Sequence, residues 1–449
     1  MEMYSVARNN LDFYRTVSFY LRFETFDLSR AEWKSCIENA VRSTIEVHPR
    51  LLLQVDLSRT PNRYIILPIS TFDSLPIQII ERTDDEEEEF LDQIIEDESN
   101  TGFVYNDRSP LWRIVLIVSS NSRTFDVILS WNHAIGDGIS GMAFFTTFVH
   151  CLSEKPIGKY SLADDQPSFE LIPSKLPPLF SFFSQIIEKF LLPHFLREYF
   201  FPKSYWTGDT RLIGNEPFHT RVTSFRLSTI DLDLLQKKCR NERVTIHTAI
   251  LSALLLSVTA IFGKNKSLEF RCGTAVNIRR YCQPVISNEQ FGVFPSSANT
   301  LHFIPSCENF IDLFWPLARQ IKEQLDFEIE HSILPLIQSL KFISNWEDFL
   351  VNQRKTLPNG YNQSVDISNL LRWSLQSVVD QRWKILHGGF NQSANLIGSA
   401  LTVSVVTVND ILKVYISYQE ECFKNRAQVK AMRDRMREFL IDAKLSNEK

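Results

Sequence analysis

Two apolar runs, WRIVLIV (112–118) and FDVILSW (125–131), flank the short polar stretch SSNSR. Their β-branched and aromatic content, with the polar break between them, predicts a hairpin in the middle of a sheet. The second run passes into WNHAIGDGIS (131–140), and ISGMAFFTTFVHCL (139–152) then has helical periodicity. A His and an Asp therefore sit on a strand-to-helix turn, which restricts this region to an α/β arrangement. Only 14 of the 449 residues are glycine, yet Gly136 and Gly138 flank Asp137. Glycine accepts backbone angles that a side chain forbids, so the pair predicts a tight reversal and, at Gly138, close approach of a substrate to the main chain.

Strand and helix patterns alternate along the rest of the chain. RTVSFYLRF (15–23) reads as a strand, and Ser29 as the cap of a helix through Trp33, Ile37, Ala40, Val41 and Ile45 that ends near His48-Pro49. Short strands are expected at 51–55, 63–68 and 76–81. The acidic run DDEEEE (84–89) before FLDQII suits the first turn of a helix, where the dipole favours negative charge. From 216 the alternation repeats: a strand at 221–227, helices at 229–240 and 245–262, a strand ending at Arg279, another at 292–303 and a helix around 309–331. Late in the chain come VDISNLL (365–371), WKILHGGF (383–390), a hairpin turning at Asn409-Asp410 and an amphipathic helix at 424–443. Between the two series lies a stretch rich in proline and phenylalanine that is too apolar for a free linker. The expected organisation is an N-terminal half over 1–152, a crossover over 153–215 and a C-terminal half over 216–449, each half an α/β unit with a mixed sheet. A chain of 449 residues also exceeds what one core usually supports.

Composition excludes several function classes. The formal net charge of −5 gives no electrostatic footprint for nucleic acid. The seven cysteines are dispersed, without CxxC pairs or His at ligand spacing, so reduced thiols in an intracellular protein are expected rather than a disulfide framework or metal site. MEMYSVARNN lacks the apolar region of a secretory signal. The nearly uncharged run 245–263 reads as a buried core helix. No GxSxG elbow or glycine-rich phosphate loop is present.

At the end of a strand, His133 is placed to take a proton near neutral pH. Asp137 admits two readings: it orients the imidazole as in a triad, or it caps the following helix and holds the turn through a distant arginine.

HAIGDG, followed by a Phe-rich helix, resembles the HxxxDG motif of the coenzyme-A-dependent acyltransferases, which include chloramphenicol acetyltransferase, condensation domains and plant and fungal alcohol acyltransferases. The similarity is greatest to the fungal alcohol O-acetyltransferases. It extends to YSVARNNLDFYRTV (4–17), to the crossover ending in YWTGD (205–209), to TAVNIRRY (274–281) with FGVFPSS (291–297), and to VDISNLL. The resemblance implies two chloramphenicol-acetyltransferase-like halves with an active-site tunnel between them.

By the same resemblance, His133 is the catalytic base, Asp137 and Gly138 are structural at the site, and Asp137 is ion-paired with Arg279 across the halves. Ser368 and Asn369 would bind substrate near the acyl carbonyl, although an ordinary strand role is equally open. Acetyl-CoA would be a co-substrate, with no resident cofactor and no metal, and Lys264 and Lys266, or Arg279 and Arg280, would meet its phosphates. The acceptor would be a small hydrophobic alcohol or a secondary-metabolite hydroxyl, in fungal ester biosynthesis. Rival readings are an amine acceptor, a longer or carrier-bound acyl donor, or a non-catalytic binding protein. Departures from the pattern are Asn132, where many members carry a second His, the lack of a late DFGWG (HGGF at 387–390 is a faint echo), and SNLL in place of Ser-Asn-x-Gly. A cytoplasmic monomer is expected, with aromatic and basic residues of 176–201 offering a peripheral contact to lipid, the endoplasmic reticulum or lipid droplets.

Overall fold

The computed structural model describes residues 1–25, 30–59, 62–82, 87–119, 123–153, 158–159, 205–210, 212, 216–375 and 382–442. The first half runs α1 (Glu2–Asn10), β1 (Val17–Thr25), α2 (Arg30–Val47), β2 (Leu53–Asp56), β3 (Arg63–Ile66), β4 (Ile77–Arg82), α3 (Glu87–Asn100), β5 (Trp112–Ser119), β6 (Thr124–Trp131) and α4 (Gly138–Leu152). The second continues with β7 (Thr220–Leu227), α5 (Thr229–Asn241), α6 (Ile246–Phe262), β8 (Leu268–Asn277), β9 (Pro295–Ile304) and α7 (Phe314–His331). It closes with α8 (Ile333–Ser339), α9 (Trp346–Thr356), β10 (Gln363–Trp373), β11 (Trp383–Gln392), β12 (Ser399–Val408), β13 (Ile411–Gln419) and α10 (Arg426–Asp442).

Both large sheets are mixed, and the chain is an α/β protein of two halves. The first has the order β11-β1-β6-β5-β4, with only β4 and β5 parallel. Its β5–β6 hairpin is interior, as the two apolar runs require, and almost every residue of it is buried. The second sheet has the order β7-β13-β12-β10-β8-β9, in which β10 runs parallel to both neighbours. One strand crosses between the halves. β11, late in the sequence, pairs antiparallel with β1 from Val17↔Gln392 onward and completes the first sheet. Gly388 and Gly389 make this close approach fit, because a Cβ at either would overlap Tyr20 or Leu21 of β1.

Each half has its own core. Phe19, Phe23, Trp112, Trp131 and Phe144 lie in the first, while α6 is buried along nearly its whole length in the second. α6 is thus a core helix, opened by a capping box at Thr245 and Thr248. Among the described residues, no single helix is long and apolar enough to cross a membrane; α5 and α6 pass that test only jointly and are bent by 99°. The end of the crossover is pinned to the second half, with Trp206 packed on Phe262, Phe270 and Phe423.

Some boundaries differ from expectation for local reasons. Pro49 opens a 3-10 turn, so the strand expected from 51 starts at Leu53. The strand expected from 292 begins at Pro295, because Phe291 to Phe294 form a loop that clamps the site described below. Helices α1, α8 and α9 were not foreseen. Ser29 and the segment 176–201 lie outside the described residues.

Candidate active site

The turn after β6 is shaped by Asn132. Its side-chain oxygen accepts the Ala134 amide (2.8 Å) and the Tyr105 hydroxyl (3.1 Å), while its backbone N–H donates to Leu111 O (2.9 Å). This local hydrogen-bonded turn ends the strand and leaves His133 at its apex. The residue where related proteins carry a second histidine therefore acts here as a bracket. Trp131 Nε1 donates across the turn to Gly136 O (2.9 Å), and the Tyr64 hydroxyl to Ala134 O (2.6 Å).

His133 faces a cavity of about 270 Å³ lined from both halves. The first half contributes Tyr4, Arg8, Tyr14 and His133; α8, α9 and the segment between them contribute Leu336, Ile337, Leu340, Ile343, Trp346 and Phe349. Strands β9, β10 and β12 supply a polar wall that includes Ser296, Gln363, Asp366, Ser368 and Thr402. The Tyr14 ring meets the His133 ring edge-on at 5.8 Å, and the Arg8 guanidinium lies 3.8 Å from the Tyr14 centroid and 5.0 Å from that of Tyr4. Arg8 is buried, and among the described residues it makes no ion pair; the two aromatic faces hold its charge. Burial, and after it the positive charge of Arg8, push the His133 imidazole down to about 4. The ring is thus neutral at physiological pH. Its Nδ1 is buried without a well-formed hydrogen bond, and the backbone carbonyl of His133 itself is what favours a proton there.

Asp137 does not reach the imidazole. Its Oδ1 accepts the Ser140 amide (3.1 Å), and the Ser140 hydroxyl accepts the Asp137 amide (3.1 Å), in the capping box of α4. Oδ2 accepts the Phe294 amide (2.9 Å), and Arg279, 1% exposed, holds both oxygens at 2.7 and 3.1 Å. Burial opposes the Asp137 charge, but Arg279 and these hydrogen bonds overcome it and hold the carboxyl below its ordinary range. Ser140 adds a second fastening, donating to Gly292 O (2.8 Å) and accepting from Gly292 N (3.0 Å). The strand-to-helix turn is therefore tied to the loop before β9, and Asp137 positions His133 through the backbone rather than by contact.

Four expectations are corrected. Neither Gly136 nor Gly138 has a positive φ; they are glycine because of crowding. A Cβ at Gly136 would overlap the Phe291 ring, and one at Gly138 would stand 2.9 Å from Leu370 Cδ2 and 3.0 Å from Phe390 Cζ. Gly138 thus packs against protein, not substrate. Asn369 is not in the cavity wall: its side chain accepts the Leu371 amide (2.8 Å), supporting Leu371 at φ 67°. Only Ser368 of that pair faces the cavity, because neighbouring strand residues point to opposite faces. Arg279 is buried against Asp137 and is no candidate for phosphates. Of the other basic residues named, Lys264 is ion-paired with Asp209 (2.8 Å), Lys266 is exposed, and Arg280 lies over Tyr281. Among the described residues no cluster of metal-ligating side chains occurs.

Comparison with known proteins bears on this arrangement directly. Residues 65–440 match the family model described as alcohol acetyltransferase. The chain belongs to the alcohol acetyltransferase family. A relative of this family member is the probable alcohol acetyltransferase crmB of Aspergillus fumigatus, 23% identical over 447 residues that cover 94% of each chain. Among solved structures, the TRI3 trichothecene 15-O-acetyltransferase of Fusarium sporotrichioides has a TM-score of 0.73 at 14% identity, covering 98% of this chain and 93% of its own. The epimerization domain of tyrocidine synthetase B has a TM-score of 0.61 at 13% identity over 98% and 94%. These two similarities establish a shared two-half fold for the chain. What sequence reasoning missed is the rest of the cavity: Arg8 and Tyr14, and Asp366, lie inside stretches singled out for resemblance without being picked individually.

Proposed function

We propose that the protein transfers an acetyl group from acetyl-CoA to the hydroxyl of a hydrophobic alcohol or secondary metabolite, with His133 as general base. The observation that carries this reading is a neutral imidazole facing a cavity between the halves, on a turn fixed by two buried fastenings. A proton on Nδ1, beside the residue's own carbonyl, leaves the Nε2 lone pair for the substrate. The alcohol O–H donates to Nε2, and as the oxygen bonds to the thioester carbon the proton passes to the imidazole. The tetrahedral oxyanion then collapses with cleavage of the C–S bond, and the thiol leaves with the proton carried on Nε2. Ester and free coenzyme A are the products. The Ser368 hydroxyl and the Arg8 guanidinium line the cavity and would stabilise negative charge on the former carbonyl oxygen.

Thiol release from acetyl-CoA by the purified protein, over a panel of alcohols and amines, tests the reading. Acceptor-dependent release should fall by ~10²–10⁴ in His133→Ala, the usual contribution of a positioned base. Release undiminished in that variant would remove His133 from the chemistry.

A further inference from the structure

The polar wall of the cavity contains hydrogen-bond acceptors without donors. The Asp366 carboxylate faces the cavity, and among the described residues it has neither a hydrogen bond nor an ion pair. Gln363 Oε1, on the same strand and in the same wall, is buried and also lacks a donor. The two oxygens converge: a Cβ at Gly273 of the neighbouring strand would overlap both. Burial raises the Asp366 carboxyl to about 6, and the one charge acting against that shift is Arg8. At neutral pH the wall therefore carries an anionic carboxylate to which, among the described residues, no donor is bonded. The same cavity has an apolar lining of Leu336, Ile337, Leu340, Ile343, Trp346 and Phe349. A plain aliphatic alcohol would fill the apolar side and leave a buried carboxylate unpaired, a large penalty.

We propose that the acceptor carries, besides the hydroxyl that is acetylated, a second O–H or N–H group that donates to Asp366. The site then takes a functionalised alcohol of the diol or amino-alcohol class with an apolar body, rather than a simple aliphatic alcohol. This rests on the O-acetyl transfer reading above and makes it narrower. Sites built to hydrogen-bond a substrate group reject the analogue lacking it far more strongly than apolar pockets reject a missing methylene.

The test uses the full chain and two matched sets: cyclohexanol, 2-methoxycyclohexanol, trans-1,2-cyclohexanediol and trans-2-aminocyclohexanol, with 1-decanol, 1,2-decanediol and 2-amino-1-decanol as longer counterparts. The wild type should show kcat/KM at least ~100-fold higher for a donor-bearing acceptor than for its monoalcohol and methyl ether. The amine and diol arms separate a cationic from a neutral donor. In Asp366→Asn and Asp366→Leu that ratio should collapse by tenfold or more. Equal kcat/KM for monoalcohol and diol or amino alcohol in the wild type would overturn the inference. So would an unchanged ratio in both variants, or a rise in the KM for acetyl-CoA alone, which would assign the carboxylate to the donor substrate. Thermal shifts with the same ligands need no turnover. Donor-bearing ligands should raise the Tm of the wild type more than that of Asp366→Asn, and equal shifts would overturn the inference. If no acceptor is acetylated while this binding difference holds, the transfer reading fails and the Asp366 contact stands.

Discussion

Arg8 is a buried cation with aromatic neighbours and, among the described residues, no ion pair. Its charge adds to burial in keeping His133 unprotonated, so its removal has a direction. In Arg8→Gln the imidazole should titrate higher, toward its ordinary value near 6.5. The acid limb of the kcat/KM profile should move up in pH, and a purely structural loss would lower the plateau without moving the limb. Asp137 makes a different demand. Asp137→Ala strands Arg279 as an uncompensated buried charge, which typically costs about 3–5 kcal/mol. Urea unfolding should register that loss, and Arg279→Met added to Asp137→Ala should recover part of it.

At the scale of elements, the α4 turn is held by contact rather than by unusual backbone angles. Gly136→Ala should therefore destabilise by about 1–3 kcal/mol through overlap with Phe291, as measured by denaturant midpoint. A change below a few tenths of a kcal/mol would mean that the clamp loop yields freely. The elements that the sequence announced were those with unbroken patterns: the β5–β6 hairpin, α4 behind its Asp cap, the uncharged α6 and the hairpin at Asn409-Asp410, where both residues have positive φ. His133 was legible from its place at a strand end, whereas the Asp137–Arg279 pair came only from the resemblance of HAIGDG and TAVNIRRY to the acyltransferase pattern. Those missed were short or weakly signalled. α1 has no side-chain N-cap bond, α8 is seven residues long, and both are folded by tertiary contact. Because Arg8 and much of the apolar wall ride on such elements, the cavity was less readable than the motif that opens onto it. Asp366 was hidden differently: alternation told which residues of β10 share a face, but not that this face looks into a cavity instead of a core.

At the scale of the whole molecule, five histidines among the described residues have folded pKa values pushed down by burial: His48, His133, His247 and His302 to about 4, and His387 to about 3. In the unfolded chain each takes a proton near 6.5, while the native state refuses it until about 4 or below. The unfolded state thus binds more protons across that window. The contribution is fully present above pH 6.5 and is lost as pH falls toward 4, at about 1.4 kcal/mol per pH unit for each histidine. Asp366, raised to about 6, works in the opposite sense between its ordinary range and that value. The net expectation is a urea midpoint that drops steeply between pH 6.5 and 4.5. A midpoint flat over that range would refute it.

The route of β11 into the first sheet also sets an order of events in time. β1 is made long before β11, one of its two partners. At the usual ~5–20 residues per second, that edge stays bare for roughly tens of seconds while the intervening chain is made. A bare edge is a template for any other strand. Synthesis therefore includes an interval in which β1 needs shelter, and the arrival of β11 decides whether that edge stays folded.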